Sequence, residues 1–285
     1  MIRFGAPVFL PPAEAEDPIA LARAHKAQGF TAAYAPPVDL KDSARIREIR
    51  RAFADEDVMI AEVGFWANLV DLDDAARREN RVGMRNALAL AEELGARCAV
   101  DIFGSYAFHK HGTEVHVAKN FSPEAFEEAV AIARYYLDAV RPKTAHFAYE
   151  IFPFNVVDSA AEIERLIHAV DRPMFGVHLD LVNLINCPRA YWNNGAIMRE
   201  CVQRFGERIV AAHCKDLKLR EPAISVILEE VPPGQGGIDF ATALREMDDL
   251  PQAVPYLLEH LNSAEEYDQA AAHLRAVAQS IGIAI

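Results

Sequence analysis

Short apolar runs and longer amphipathic runs alternate along the whole chain, and this alternation restricts the fold more than any other feature. The apolar runs are too short for helices and rich in β-branched and aromatic residues. They are "RFGAPVFL" from Arg3, "TAAYAPP" from Thr31, "VMIAEVGFW" from Val58, "RCAVDIFGS" from Arg97, "HFAYEIFP" from His146, "MFGVHLDL" from Met174, "IVAAHCKDL" from Ile209 and "AVPYLLEHL" from Ala253. Helix signals lie between them. Asp17 caps "DPIALARAHKAQG", Pro18 opens its first turn and Gly29 ends it. Ser122, Pro123 and an acidic first turn open "SPEAFEEAVAIARYYLDAV", as the helix dipole favours. "DDAARRENRVGMRNALALAEELG" ends at Gly95, and a last helix opens on Ser263 and closes near Gly282. Others run through "SARIREIRRAFADED" and begin near Ala160, Ala196 and Phe240. Eight strand–helix units in 285 residues predict an α/β chain folded as one (β/α)₈ TIM barrel, a single domain over residues 1–285. A doubly wound sheet is the alternative, but no G-x-G-x-x-G follows the first strand and no Pro/Gly-rich linker divides the chain.

Active sites of such barrels form at the C-terminal ends of the strands. The connections there are long after strand four (Ser105 to Phe121), strand six (Val182 to Gly195) and strand seven (Lys218 to Ile238). Strand six carries His178 and Asp180, two residues apart and therefore on one face. A charge buried in a core strand requires a partner. The same parity places Glu150 with Ala148 on strand five, His213 and Lys215 with Ala211 on strand seven, and Glu259 with Leu257 on strand eight. If these faces point inward, Glu150, Asp180, His213 and Glu259 converge at the rim. One acid at a strand end is usually a cap or an ion-pair partner, but four matched groups on consecutive strands form a pattern. Three crowded carboxylates repel unless protonated or neutralised. One divalent metal ion answers the problem, with Mn²⁺, Mg²⁺ or Co²⁺ favoured by the oxygen-rich donor set and Zn²⁺ or Fe²⁺ as further options.

Other residues receive expectations from parity. His178, one layer below Asp180, is either a satisfied core histidine or a substrate contact. Glu62 and Trp66 share a face on strand three, so Glu62 is expected to bond a substrate hydroxyl and Trp66 to wall the pocket. Asp101 joins Glu62 as an acid near an earlier strand end. Cys214 should pack toward a helix, Asp216 should be structural and His260 should face outward.

Composition limits the partners. The net charge of -13 opposes nucleic-acid binding, which needs clustered Lys and Arg. Cys98, Cys187, Cys201 and Cys214 form no C-x-x-C pair, so reduced thiols are expected. The opening "MIRFGAPVFLPP" lacks a signal-peptide pattern, and no apolar run reaches the roughly 18 residues of a membrane span. A cytoplasmic protein with a small-molecule partner is expected, with no nucleic acid and no membrane.

The order Glu, Asp, His, Glu on strands five to eight resembles the xylose isomerase-like barrel superfamily, which includes sugar isomerases, ketose 3-epimerases, inosose dehydratase and an apurinic endonuclease. The local wording agrees in "YEIFP", "HLDLVN", "AAHCKD", "PGQGGIDF" and "LLEHL", and the resemblance covers essentially the whole chain. It implies that Glu150, Asp180, His213 and Glu259 bind the metal. It also implies that Glu150 and Glu259 move protons on opposite faces of a substrate carbon, and that Lys215 polarises the substrate carbonyl as in aldose–ketose isomerases. Two positions depart from the ketose 3-epimerase pattern: Asn183 stands where a substrate-binding His follows the Asp, and Val156 where a further Glu is found. Asn183 is retained as a substrate-contact candidate.

The loops would complete the pocket. Tyr106, His109, His111 and His116 lie after strand four, and Arg189, Tyr191 and Trp192 after strand six. Aromatic and amide groups suit a sugar; equally, Tyr191 and Trp192 are packing residues or the contact of a homo-oligomer. "VPPGQGGIDF" is read as a turn ending in an Asp239 cap, over a phosphate-binding loop. The functional expectation is a divalent-metal-dependent carbohydrate isomerase or epimerase working through an enediolate. The alternative is a lyase or dehydratase acting on a keto-sugar, keto-inositol or 3-keto-glycoside, with a non-catalytic sugar-binding or partner-dependent subunit as the third reading.

Overall fold

The computed structural model describes residues 1–108 and 115–285. Eight parallel strands close a barrel: β1 (Ile2–Gly5), β2 (Ala32–Tyr34), β3 (Met59–Gly64), β4 (Cys98–Asp101), β5 (His146–Glu150), β6 (Phe175–Asp180), β7 (Ile209–Cys214) and, after a separate hairpin, β10 (Val254–Leu258). The hairpin pairs β8 (Asp216–Leu219) with β9 (Leu228–Val231), antiparallel. Neighbours in the barrel are neighbours in sequence, and β10 closes the ring between β7 and β1. All eight expected barrel strands form, seven within the expected runs and β1 starting one residue earlier at Ile2. "IVAAHCKDL" does not stay one strand: β7 stops at Cys214, and the chain re-pairs with itself from Asp216.

Asp216 accounts for that break. Its carboxylate accepts backbone N–H groups from Leu217, Gly234, Gly236 and Ile238 at 2.9–3.0 Å, tying both ends of the excursion to one buried side chain. The amides of "VPPGQGGIDF" are therefore used internally. The loop ends as expected, with Asp239 capping helix Phe240–Asp248 through Thr242 N–H at 3.0 Å.

The outer helices begin on short polar caps. Asp17, Asp42, Asp73, Ser122, Ser159 and Ser263 each accept a first-turn N–H. Helix Asp74–Leu94 ends at Gly95, whose φ of 71° lies in the left-handed region that glycine adopts without a Cβ clash.

Two layers of packing set the facing of each strand. Phe147 and Tyr149 of β5 point outward: the Phe147 ring lies 5.2 Å from Tyr136, and Tyr149 Oη donates to Ala129 C=O at 3.2 Å. Ala148 and Glu150 alternate with them and so face the barrel interior. Strand register carries this facing onward, because Glu150 pairs with His178, Asp180 with His213, and His213 with Leu257. The interior holds small buried groups such as Ala148, Ala211, Val100 and Val210, which leaves room above them at the rim. Cys214 has the outward facing and joins the layer between sheet and helices, as its parity predicts.

Candidate metal and catalytic site

Glu150, Asp180, His213 and Glu259 meet at the C-terminal mouth of the barrel, and one donor atom from each lies within 4.8 Å of the others. His213 is central. Its Nδ1 lies 3.0 Å from Glu150 Oε1 and 2.9 Å from Glu259 Oε2. Lys215, from the same strand edge, places Nζ 2.8 Å from Asp180 Oδ2 and 2.7 Å from Glu259 Oε2. Asp180 Oδ1 accepts Val182 N–H at 3.1 Å, which fixes the carboxylate at the end of β6. Glu259 is the part of this cluster open to solvent, with 18% of its side chain exposed.

The electrostatics differentiate the two glutamates. Burial raises the Glu150 carboxyl above its usual range, and the His213 imidazole offsets this only in part. Burial also acts on Glu259, but His213 and Lys215 outweigh it and hold that carboxyl well below the ordinary value. His213 is pulled toward the charged form: burial opposes it, and Glu62, Glu150 and Glu259 prevail. Lys215 likewise stays charged because Asp180 and Glu259 overcome its burial.

A cation suits this donor set. Asp180 Oδ2 and Glu259 Oε2 are buried and accept no well-aligned hydrogen bond, although both face the Lys215 ammonium. Buried acceptors of this kind are uncommon and call for an explanation. Oxygen atoms from three carboxylates and one imidazole nitrogen can serve a divalent metal.

Beneath the quartet lies a second buried group. Glu62 Oε2 lies 2.6 Å from His178 Nε2, and Glu62 Oε1 lies 3.5 Å from His213 Nε2. The two imidazoles meet edge to face at 4.1 Å. Burial would raise the Glu62 pKa, yet the imidazoles hold it at about 2. The geometry pairs these two substrate-contact candidates with each other beneath the rim. His178 is fully buried, and both Glu62 oxygens face imidazoles.

The remaining candidates separate. Trp66 is half-buried, has a left-handed φ of 53°, and stands 6.0 Å from the His213 ring. Asn183 donates through Nδ2 to Ile151 C=O at 3.0 Å, beside Glu150. Tyr106 is buried and donates to Glu128 at 2.7 Å, which ties it to helix Pro123–Val140. His116 stacks on Phe154 at 3.6 Å; His109 and His111 lie outside the described residues. Tyr191 is buried, whereas Trp192 is exposed. His260 takes a left-handed φ of 60° and bonds Glu230 of β9 at 3.0 Å, so it clips the hairpin to the rim. Asp101 is fully buried: Oδ1 accepts from Ala67 and Ile102 N–H, Oδ2 has no hydrogen-bond partner among the described residues, and burial pushes its carboxyl up to about 8.

Sequence reasoning missed one neighbour. Tyr34, at the end of β2, stands 6.3 Å from the His213 ring and donates to Leu258 C=O at 3.1 Å. Its position at a strand terminus, in "AAYAPP", was the available signal.

A closed parallel barrel with paired acids and histidines at its C-terminal mouth defines a class of proteins built for rim chemistry. The chain belongs to the xylose isomerase-like TIM barrel family, whose model matches residues 19–277. Sugar epimerases are among its homologues. The L-ribulose-5-phosphate 3-epimerase UlaE of Escherichia coli is 25% identical over 194 residues, 68% of this chain and 60% of that protein. The chain thus matches curated relatives over about 60% of their length. Among solved structures, endonuclease IV from Thermus thermophilus superposes with a TM-score of 0.70 at 15% identity, covering 98% of this chain and 99% of that one. A xylose isomerase-like TIM barrel protein from Mycobacterium smegmatis in complex with magnesium gives 0.66 at 17% identity, with 92% and 87% covered. At these identities the structural likeness shows the shared fold. Among the described residues, no helix is long and apolar enough to cross a membrane.

Proposed function

We propose that this chain is a divalent-metal-dependent carbohydrate isomerase or epimerase acting through an enediolate. The observation that carries the reading is the meeting of Glu150, Asp180, His213 and Glu259 from four adjacent barrel strands, with one donor atom of each within 4.8 Å of the others. These four residues would hold the ion, which when bound supplies the positive charge that steadies an enediolate.

The chain's own groups supply the proton traffic. Glu259, the member of the cluster partly open to solvent, is the base that removes the proton beside the substrate carbonyl. The C–H electron pair becomes the enediolate double bond as the carbonyl π pair moves onto oxygen. Glu150, the second carboxyl of the cluster, returns a proton to the other face of the same carbon or to its neighbour. Lys215 is the buried cation placed to polarise the carbonyl. Trp66 walls the sugar, and Asn183 is held at the rim beside Glu150. Homology to a sugar epimerase supports a carbohydrate substrate.

The test is incubation of metal-loaded protein with keto- and aldo-sugars in D₂O. The reading expects solvent deuterium in a product otherwise unchanged in composition, and loss of exchange in Glu150→Gln and Glu259→Gln. An unsaturated or cleaved product would instead establish the lyase reading. Sugar binding without exchange would leave only a binding role.

A further inference from the structure

We propose that Glu62 is a positioning residue that accepts the Nε2 proton of His213 and thereby keeps Nδ1 as the ring nitrogen that faces the rim quartet. The inference rests on the metal-dependent reading above for its purpose, but its geometry stands by itself. A histidine ligates through one ring nitrogen, and the partner of the other nitrogen decides which one is free. His213 Nδ1 faces Glu150 and Glu259 at 3.0 and 2.9 Å. Its Nε2 faces inward, is buried and makes no close hydrogen bond, and Glu62 Oε1 stands 3.5 Å away.

Glu62 is held for this task from the opposite side. Its other oxygen is bound by His178 Nε2 at 2.6 Å, and His178 sits on β6 in register with Glu150. The His178 ring lies 4.1 Å from the His213 ring, which restrains rotation of both. Tyr34 and Trp66 flank His213 with rings at 6.3 and 6.0 Å. All three members, Glu62, His178 and His213, are at most 2% exposed, so bulk water does not compete for the Nε2 proton. One carboxylate on β3 thus orders two imidazoles on β6 and β7 across the barrel. Outer partners of this type typically change metal affinity by about 10–100-fold when removed.

The experiment compares full-length wild type, Glu62→Gln and Glu62→Leu, each checked for a cooperative melt. Protein carrying ¹⁵N-histidine is freed of metal with a chelator, and the His213 ring signals are assigned by their loss in His213→Asn. The expected result is a slowly exchanging, downfield Nε2–H signal in wild type that moves upfield in Glu62→Gln and exchanges rapidly in Glu62→Leu. A wild-type ring without an Nε2 proton, or a signal untouched by either variant, overturns the proposal. Dissociation constants for Mn²⁺ and Mg²⁺, measured by chelator competition, should weaken about 10–100-fold in both variants. Unchanged affinity would refute the positioning role even if the proton signal moved. A wild type that binds neither ion would sink the metal reading alone, with the ring signals still deciding whether Glu62 holds the His213 proton.

Discussion

Replacing Lys215 with Met should cost the metal-free protein more stability than almost any other single change at the rim. The ammonium is 5% exposed and touches Asp180 at 2.8 Å and Glu259 at 2.7 Å. At an effective dielectric of about 20, each contact attracts by roughly 6 kcal/mol, against a desolvation cost of several kcal/mol for each buried ion. The net loss on breaking such a buried pair from one side is about 3–5 kcal/mol, because Asp180 loses its cation and Glu259 keeps only His213. For a chain of this size that corresponds to a fall in Tm of roughly 10 °C. Met keeps an unbranched stem, so the lost packing is small beside the lost charge. The assay is calorimetric melting of wild type and Lys215→Met in chelator, then with added Mn²⁺ or Mg²⁺. The variant should melt far below wild type in chelator and gain more from the ion, since the cation then faces carboxylates with no competing ammonium. A variant within about 2 °C of wild type in chelator would refute the buried-pair reasoning. An equal gain from metal in both proteins would refute the link between Lys215 and the metal-binding carboxylates.

Further outcomes follow from the same geometry. Asp180→Ala and His213→Ala should each lose the roughly one metal ion per chain expected of wild type while keeping the barrel's circular dichroism, because they sit above the packed interior layers; elemental mass spectrometry decides it, and full metal in both variants would refute the site. His25 is 4% exposed and burial lowers its pKa to about 4, so the unfolded chain binds the extra proton as pH falls from the ordinary histidine value of 6.5. Its contribution is therefore complete above that value and about 3 kcal/mol smaller by pH 4. Urea titrations of His25→Gln should show a shallower pH slope, with the remainder from His146, which burial lowers in the same direction. Asp101 runs oppositely: its carboxyl titrates at about 8 in the folded state and near 3.8 unfolded, so the folded state keeps the proton longer and stability falls as pH rises between those values. Asp101→Asn should abolish that fall, worth up to about 6 kcal/mol between the two limits, and identical pH slopes in wild type and variant would count against a neutral buried carboxyl.

Much of the fold was legible from local pattern. The eight apolar runs and their polar-capped helices correspond to β1–β7, β10 and the helices around them, because side-chain period and capping chemistry act over a few residues. The convergence of Glu150, Asp180, His213 and Glu259 was legible for a related reason. Alternation assigns each residue a face, and sequential parallel strands place those faces side by side. Beyond that, local pattern had no purchase. Parity put Glu62 on the interior face, but only barrel closure set it against His178, 116 residues away in sequence. The β8–β9 hairpin was hidden because Leu217 and Leu219 continue the alternation of β7; the break comes from the Asp216 carboxylate gathering amides from residues up to 22 positions away. Lys215 presents the same division. Its sequence position gives it a direction, while the carboxylates that hold it come from two other strands. The chain alone determined the number, order and facing of the barrel strands, since these follow from short-range sterics and hydrophobic period. The tertiary structure decided which buried charge meets which, since that depends on distances across a barrel that exist only once it has closed.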